Sequence, residues 1–469
     1  ELAGQDQRQR LRDSSQSLTF QHIFSPNTLG QFSFFNRHGR ARLSSNPAST
    51  PVVALQNRTL QNYGGLGSIA LTRGSHNIKF GGQFTITPVR EHFSFYPTVQ
   101  FDDIVDEDGN VLPNPINSFS AADPFVFDGK KTGRSLSAYV QDRFALFKNF
   151  TLDVGLRYDN YKLVISDHEI SPRIAVAYFL PRSKTTLRVS YNRFFQPPPA
   201  ENLLLASSRE AASISPIAVI QGVTTIQPIL PDKEHVFEIG AQQLLSRYLR
   251  LNLTVYQKRI KNFSDKDQFI ETGVIFPIAI ASGRVTGEEI RIESTDIKGF
   301  HGSVSYANSH AYGVTPITGG LFLGEDPEEL QSRGIKFSAD HDQRNSVQFQ
   351  FGYNHRPTGI YATFGGRYDS GVPTDVEPGT TLADFIAQGF DPQLYQEIDF
   401  QRGRVRPRTV FDLSLGADLM QKERVAMNLQ FDLQNLTNEL FLYNFQSVFS
   451  GTHVGPPRLI SGRISFRFK

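Results

Sequence analysis

Strict alternation of apolar and polar residues recurs along this chain and limits its fold more than any other feature. In Arg424–Leu433 every odd position is apolar and every even position is small or polar, and Thr151–Asp159 repeats the pattern with its apolar residues at even positions. A period of two places successive side chains on opposite faces of a β-strand. Shorter alternating runs occur at Ile78–Ile86, Leu187–Tyr191, Leu249–Val255, Val347–Tyr353, Phe411–Leu419 and Gly462–Phe468. The predicted fold class is therefore all-β.

The composition agrees with strands that face two different environments. The mean hydropathy is −0.31, and no stretch approaches the roughly 20 apolar residues of a membrane-spanning helix. A membrane strand with one face toward lipid and one toward a polar lumen gives the same low value. The chain has no Cys, which excludes disulfides and Cys-based metal sites, and its net charge of +2 gives no argument for nucleic-acid binding. No composition break divides it, so residues 1–469 are predicted to form one domain.

The connections between the runs alternate in length. Short turns are predicted at Ser25–Thr28, Arg73–Ser75, Phe147–Asn149, Pro181–Lys184, Ser246–Tyr248, Lys298–Gly299, Pro357–Gly359 and Gln421–Lys422. Long connections are predicted at Asn36–Tyr63, Val89–Gly133, Gln196–Lys233, Gln257–Ile275, Tyr312–Asn345 and Asp369–Arg408. Outer-membrane barrels place short turns in the periplasm and long loops outside, whereas a soluble sandwich has no reason to sort its turns in this way. We therefore predict a transmembrane, antiparallel, up-and-down β-barrel.

The number and direction of the strands lead to a further expectation. About seventeen strands, each near the ten residues of a tilted span, can be counted. The first, near Ser17–Phe24, runs inward because the short turn after it is periplasmic, and the last also runs inward to Lys469. Closed bacterial barrels have an even number of strands and both ends in the periplasm. The odd count predicts at least one further strand upstream and makes Glu1–Asp13 the expected remnant of an extracellular loop.

Several motifs resemble, in order, those of the barrel of TonB-dependent receptors. The hairpin motif of Ser137–Phe144 and Leu152–Asp159 is followed by Ser171–Ala175, and much later by Gln434–Asn438 and Gly462–Phe468. The residues that carry the resemblance include Tyr139, Gln141, Asp142, Arg143, Gly155, Arg157, Tyr158, Pro172, Arg173, Asn435, Leu436, Phe466 and Phe468. Two features depart from the family pattern. Lys469 follows the final aromatic residue, which usually ends the chain, and Trp is absent.

The resemblance implies a receptor in the outer membrane of a Gram-negative type of cell. Barrels of this family have 22 strands, so this chain would be the larger part of one, with the first strands and an N-terminal plug upstream. The implied function is energy-coupled uptake of a scarce nutrient, such as a siderophore, vitamin, oligosaccharide or peptide. The implied partners are the TonB complex acting through the plug, the barrel assembly machinery, lipopolysaccharide and outer-membrane lipid, and a small-molecule or oligomeric substrate.

Alternation also predicts which polar side chains face the lumen. They are Arg157, Asp159, Arg173, Arg188 and Asn192. A polar lumen is the rule in membrane barrels. We therefore interpret the polar residues of the motif hairpin as a lumen-side network that packs against a plug, rather than as a direct transport site. That network comprises Gln141, Asp142, Arg143 and Arg157.

Four other features have both a functional and a structural interpretation, and the structural one is favoured for each. The acidic stretch Asp102–Asn110 does not fit the ligand pattern of a calcium loop and is predicted as a hairpin turn, with calcium binding as the weaker alternative. Glu201–Ala212 and Asp326–Arg333 are predicted as short loop helices whose apolar residues pack the loops. His341 has no second His close to it in sequence, so no metal or cofactor is predicted.

Three alternatives to the receptor remain. A passive porin without a plug has 16–18 strands, close to the number counted here. An outer-membrane enzyme would need a Ser/His/Asp triad or paired carboxylates near the rim, and no spacing indicates either, so no enzyme is predicted. A soluble β-rich binding protein would not show the sorting of short and long connections.

Overall fold

One large antiparallel sheet contains most of the chain. The computed structural model describes residues 6–105, 108–221, 228–270, 272–319, 332–421, 425–446 and 451–468. Over these residues the sheet has 18 strands, of which 17 are long, follow one another along the chain and each pair with the next. The long strands are β1 (Gln7–Ser25), β2 (Thr28–Ser45), β3 (Val52–Arg73), β4 (His76–Pro97), β5 (Phe125–Phe147), β6 (Phe150–Lys162), β7 (Ser166–Leu180), β8 (Thr185–Gln196), β9 (Asp232–Leu244), β10 (Leu249–Gln268), β11 (Ile275–Ile297), β12 (Phe300–Gly319), β13 (Asn345–His355), β14 (Ile360–Asp369), β15 (Arg408–Gln421), β16 (Val425–Gln434) and β17 (Leu459–Phe468).

The predicted fold class and number of strands are confirmed. The predicted length of about ten residues holds for β13, β14, β16 and β17, which have 10 or 11 residues, and is wrong for the strands that extend farther. The longest strand, β5, has 23 residues, and β1 has 19. A loop was expected at Asn36–Tyr63, yet β2 and β3 stay paired up to a connection of residues 46–51. Gln257–Ile275 is likewise mostly strand, since β10 ends only at Gln268. The expected loop remnant at Glu1–Asp13 is wrong for Gln7–Asp13, which belongs to β1, and residues 1–5 of it lie outside the described residues.

The connections are sorted between the two ends of the sheet as predicted. At one end they are tight, as at Lys298 and Gly299, where both residues have positive φ and form a two-residue hairpin turn. The turn predicted at Gln421–Lys422 lies partly outside the described residues. The connections at the other end hold α1 (Leu203–Ala206), α2 (Arg209–Ala212), α3 (Pro216–Gln221), α4 (Leu382–Ala387), the 3-10 helices Pro115–Ser118 and Pro392–Glu397, and the short strands Ile104–Val105, Val111–Leu112, Lys336–Ser338, Ile398–Asp399, Arg404–Val405, Leu442–Asn444 and His453–Val454. Among the described helices, none has the length and apolar character to span a membrane.

The two faces of β4 exchange polarity part-way along the strand. Near the tight turn, Phe80 and Phe84 are exposed on what we call the outward face, and the other face is mainly polar. Farther from the turn the outward face carries Arg90, whereas Phe93 and Phe95 on the inward face are buried. Strand β5 shows the same exchange, since it exposes Val140 outward near the turn and buries Phe127 inward farther away. Residues directly opposite each other on β4 and β5 point to the same side of the sheet, so the two strands exchange polarity together.

This exchange divides the wall into two zones. The membrane zone includes Phe80–Ile86 of β4 and Leu136–Phe144 of β5, and the outer zone includes Val89–Pro97 and Phe125–Gly133. In the membrane zone apolar side chains point away from the lumen, as they do in a wall that faces lipid. In the outer zone water surrounds the wall, so the apolar side chains turn inward to be buried. The backbone ladder runs through both zones without a break.

The buried side chains of the outer zone form one apolar cluster, which we call the outer cap. It combines residues of β2–β5 with α1 and with the hairpin at the ends of β10 and β11. Members include Leu43, Val52, Ala54, Val89, Phe93, Phe95, Phe125, Phe127, Leu203, Leu205, Phe269, Val274, Phe276, Ile278 and Ile280. At its centre, the Phe269 ring lies 4.9 Å from that of Phe93 and 4.8 Å from that of Phe95, measured between ring centres.

The hairpin at the ends of β10 and β11 reaches across the outer end of the sheet. Every residue of 276–280 is buried, although a strand in a simple wall buries only one face. At the hairpin tip, the Gly273 N–H donates a hydrogen bond of 2.6 Å to Gln7 Oε1 on β1. Nine strand spacings separate β1 from β10, which is about 43 Å along the sheet. A contact between these strands therefore shows that the sheet is curved and that the hairpin spans its interior.

Candidate functional site

The register of β6, β7 and β8 brings the five residues predicted to face the lumen onto one face. Gly155 is directly opposite Arg173, which is directly opposite Asn192. The other three predicted residues lie two or four positions from Gly155 or Asn192, and alternation keeps them on the same face. The opposite face of these strands carries exposed apolar side chains such as Leu156 and Val189. The set on the polar face is Arg157, Asp159, Arg173, Arg188 and Asn192.

The contacts of these five residues distinguish two groups. Arg157 and Asp159 form an ion pair of 2.9 Å, and the Asn192 amide donates to Ser190 Oγ at 3.3 Å. Over the described ranges, by contrast, Arg173 and Arg188 take part in no ion pair. The Arg173 guanidinium lies 5.2 Å from the ring centre of Phe194. These two arginines are therefore the polar-face cations with charge still available to another group.

The lumen-side network expected around the motif hairpin is partly wrong. Arg143 pairs with Asp153 across β5 and β6 at 2.8 Å, and Tyr139 and Gln141 share that face by alternation. Asp142 lies on the opposite face, where its carboxylate is 2.6 Å from the His76 ring nitrogen. Consecutive residues of a strand cannot face the same side.

Two buried carboxylates of the outer zone were not singled out by their sequence pattern. Asp369 forms ion pairs with Arg367 at 2.6 Å and with Arg408 at 2.8 Å. Asp342 accepts a hydrogen bond of 2.8 Å from Arg404. Both carboxylates are almost completely buried, and a buried charge needs such partners.

A third buried carboxylate fixes α1 in the outer cap. Glu91 of β4 accepts hydrogen bonds from the backbone N–H groups of Leu205 at 2.9 Å and Leu204 at 3.4 Å. Burial raises the pKa of Glu91 to about 7, although these hydrogen bonds and the nearby Arg58 act in the opposite direction. The Glu201–Ala212 segment therefore packs into the cap through Leu203 and its neighbours, which confirms the packing interpretation.

The structure describes parts of the segments that carry the remaining local predictions. Ile104 pairs with Leu112, so the described part of the acidic stretch is a hairpin as predicted, and residues 106–107 lie outside the described residues. No group of three or more acidic or His side chains in the described part of the chain is arranged to hold a metal ion. Residues 326–331 of the expected helix Asp326–Arg333 lie outside the described residues.

With this geometry in place, the chain can be compared with known families. The family model described as TonB dependent receptor-like, beta-barrel matches residues 2–436. The chain belongs to this family. This match confirms the sequence resemblance and the predicted location in the outer membrane of a Gram-negative type of cell. The members of the family and the structural neighbours are transport receptors, not enzymes.

Solved structures of TonB-dependent receptors have the same fold. The ferric yersiniabactin uptake receptor FyuA from Yersinia pestis is 12% identical, with a TM-score of 0.65 over 98% of this chain and 61% of FyuA. The copper transporter OprC is 13% identical, with a TM-score of 0.66 over 98% of this chain and 66% of OprC. The ferric-catecholate import receptor Fiu from K12 E. coli is 15% identical, with a TM-score of 0.60 over 98% of this chain and 64% of Fiu. This receptor barrel thus spans less than two thirds of these proteins, and no curated protein matches it.

Several motif residues of the receptor barrel lie on the outward face of the wall or form hydrogen bonds with its backbone. Tyr158 and Phe466 lie outward and exposed, and Pro172 is directly opposite Leu156 on the same outward face. Asn435 is buried with positive φ, and its amide donates to the carbonyls of Glu439 and Pro456. The Leu436 N–H donates to the Phe411 carbonyl, and Phe468 is opposite Val425 in the ladder.

Proposed function

We propose that this barrel is the wall of a receptor for TonB-coupled uptake of a scarce nutrient. A siderophore, vitamin, oligosaccharide or peptide is the substrate class, and an iron or copper complex fits the names of the structural neighbours. The observation that carries the proposal is the outer cap, which is packed with apolar side chains and crossed by the β10–β11 hairpin. A passive porin needs an open aqueous path, whereas a packed cap must move before a substrate can enter the barrel.

The polar face of β6–β8 is the proposed lumen side of the transport path. Arg173 and Arg188 are the residues that we assign to contact with a plug or an anionic group of the substrate, because their charge is not used within the described wall. Arg157 and Asp159 neutralise each other and are assigned to the wall itself. Asn192 supplies hydrogen bonds beside them.

We also propose that residues 1–469 are one barrel domain whose wall is completed by further strands. Within the described residues, β1 pairs only with β2, and β17 pairs only with β16. A membrane has no water to satisfy the free edge of a sheet. Partners on these edges, an N-terminal plug linked to the TonB complex, and delivery by the barrel assembly machinery are parts of the same proposal.

The test uses the full-length receptor in its own cell. Growth under nutrient limitation is measured with a panel of ferric siderophores, copper complexes and cobalamin, in wild-type and tonB-deleted backgrounds. The proposal predicts that deletion of the receptor or of tonB abolishes use of the same substrate. The R173A/R188A double variant should reduce uptake about tenfold, and the matched variant R182A/K184A on a short turn should not. Substrate flux that persists without TonB would contradict the proposal and indicate a passive channel.

A further inference from the structure

The hairpin that crosses the outer cap has a break in its ladder where it leaves the wall. Lys261 pairs with Ser282 and the next pair is Phe263 with Ile280, so one residue on each strand is skipped. The skipped residue of β10, Asn262, has a positive φ of 58°, a conformation that Asn tolerates better than most residues. Strand β11 also changes its register with β12 between Ile280 and Ser282. Because such irregularities bend strands, this level is a hinge at the base of the hairpin.

The base of the hairpin is anchored more firmly than its tip. At the base, Asp232 of β9 accepts hydrogen bonds from both the backbone N–H and the hydroxyl of Ser264 on β10. At the tip, the Gly273 N–H donates to Gln7 Oε1 in an exposed position. One exposed hydrogen bond adds little to stability because water competes for both groups. The position of the hairpin therefore depends mainly on the side that packs into the outer cap.

The face of the hairpin that packs into the outer cap carries two carboxylates among apolar side chains. Asp265 lies directly opposite Ile278, and Asp267 lies directly opposite Phe276. Both of these apolar residues are buried, and directly opposite residues point to the same side of a sheet. Asp267 is 5% exposed, and its Oδ2 atom has no hydrogen-bond partner among the described residues. A negative charge on this oxygen would be buried without compensation.

Acidic groups outnumber basic ones around this pair of carboxylates. The neighbouring charged groups come from β9, from β10 itself and from the connection before β13, and they are Asp232, Glu234, Lys266, Asp340 and His341. On the cap side, Arg58 and Glu201 line a cavity of about 210 Å³ with Lys266, and Glu91 is engaged with α1. Within the described residues, neither carboxylate of the pair has a cation at ion-pair distance.

Protonation makes this arrangement stable. Burial raises the pKa of Asp265 to about 6, and the nearby Asp340 adds to the rise, although the backbone hydrogen bond from Lys266 opposes it. Burial also raises the pKa of Asp267 well above its usual range. The closed hairpin therefore binds protons that an open, hydrated hairpin releases. Its stability is highest below about pH 4 and falls as the pH rises through about 6.

We propose that the β10–β11 hairpin is a proton-dependent latch of the outer cap. The latch lies across the barrel while Asp265 and Asp267 are protonated, and it swings outward about the hinge at Asn262 when they ionise. The protons pass to water, and the carboxylates become hydrated instead of repelling each other at about 7 Å. This latch controls the entry that the proposed function requires and so rests on that proposal. Its test measures the position of the hairpin and not uptake, so the latch and TonB-coupled uptake can fail separately.

The test follows the hairpin in the full-length receptor in lipid vesicles. Cysteines introduced at Ile275, which is exposed on the hairpin, and at the exposed Arg12 of β1 carry one spin label each. Pulsed electron paramagnetic resonance measures the distance between the labels from about pH 4.5 to about pH 8, a range that includes the titration of the buried pair.

Two double variants are compared with the wild type. D265N/D267N replaces the pair with neutral amides of nearly the same shape, and D102N/D103N does the same to two exposed carboxylates in another outer connection. Both variants are labelled at the same two positions. Heat-dependent migration on gels shows that each is folded, and D267N alone replaces the double variant if that variant does not fold.

In the wild type, the ratio of long to short label distances should rise at least about tenfold across this pH range, because each unit of pKa shift is a tenfold change in the equilibrium. D102N/D103N should show the same rise, and D265N/D267N should keep the short distance at every pH. A wild-type distance that does not change with pH would overturn the proposal. So would a rise that persists in folded D265N/D267N.

Discussion

The membrane zone and the outer zone of this wall use the same strands in opposite ways. On β4, Phe80 and Phe84 face lipid in one zone, and Phe93 and Phe95 pack into the outer cap in the other. The backbone and the alternation are continuous between them. Only the surrounding solvent changes, from hydrocarbon to water, and with it the side on which apolar groups are stable. The contrast shows that the pattern of a strand determines its faces, whereas the environment determines which face is buried.

The largest effect is expected in the outer cap. Phe95→Ala removes a ring that is 1% exposed and should destabilise the cap by about 3–5 kcal/mol. Phe84→Ala, on the lipid-facing side of the same strand, should cost less because acyl chains fill the space. Hydrogen exchange of the α1 and Phe269 amides in the full-length receptor measures the difference. Equal exchange in both variants would show that the cap is not a packed core.

The second-largest effect is expected for a charge introduced on the outward face, because its cost in unfolding free energy should differ between the two zones. Val140→Arg places a cation on the lipid-facing side of β5 and should cost about 2–4 kcal/mol, whereas Thr132→Arg on the same face of the outer zone should cost close to nothing. Urea unfolding of the receptor in lipid vesicles provides the comparison. If Thr132→Arg costs as much as Val140→Arg, the zone boundary is misplaced.

The outer cap should also respond to pH. The pKa of Glu91 is raised from 4.5 to about 7 by burial, so the folded cap binds a proton that the unfolded chain releases between these values. The contribution of Glu91 to cap stability is therefore highest below pH 4.5, falls as pH rises to about 7 and is constant above it, with a total loss of at most about 3 kcal/mol. Glu91→Gln should remove this contribution, whereas Asp265 and Asp267, whose pKa values burial also raises, keep theirs. The amide exchange of Leu204 and Leu205, corrected for intrinsic rates, measures it, and an unchanged profile in the variant would contradict the assignment.

The smallest effect is expected on the polar face of the membrane zone. The Arg157–Asp159 pair is partly exposed, and such pairs contribute only about 0.2–1 kcal/mol. Arg157→Gln should therefore leave the unfolding midpoint almost unchanged. A loss comparable to that of Phe95→Ala would mean that the polar face is a packed core rather than the wall of a wet lumen.

The sequence predicts the strands and their order, but it does not predict which parts of each strand face lipid, water or the outer cap. Alternation identifies β6 and β16 because it reports local geometry. It does not show where lipid ends, so the Asn36–Tyr63 hairpin was expected as a loop. Contacts such as Phe93 with Phe269 join residues far apart in the chain, and no local pattern predicts them. The prediction for Asp142 is wrong because neighbouring residues of a strand alternate between faces, so Gln141, Asp142 and Arg143 cannot all face the lumen.

The most direct test of the two-zone wall is a scan of single cysteines along β4. The chain has no Cys, so each introduced thiol can carry a unique spin label in the full-length receptor in vesicles. Labels at positions 80 and 84 should be accessible to oxygen, labels at 90 and 92 to a water-soluble nickel complex, and labels at 93 and 95 to neither. Oxygen access at 90 and 92, or nickel access at 93 and 95, would contradict the exchange of faces.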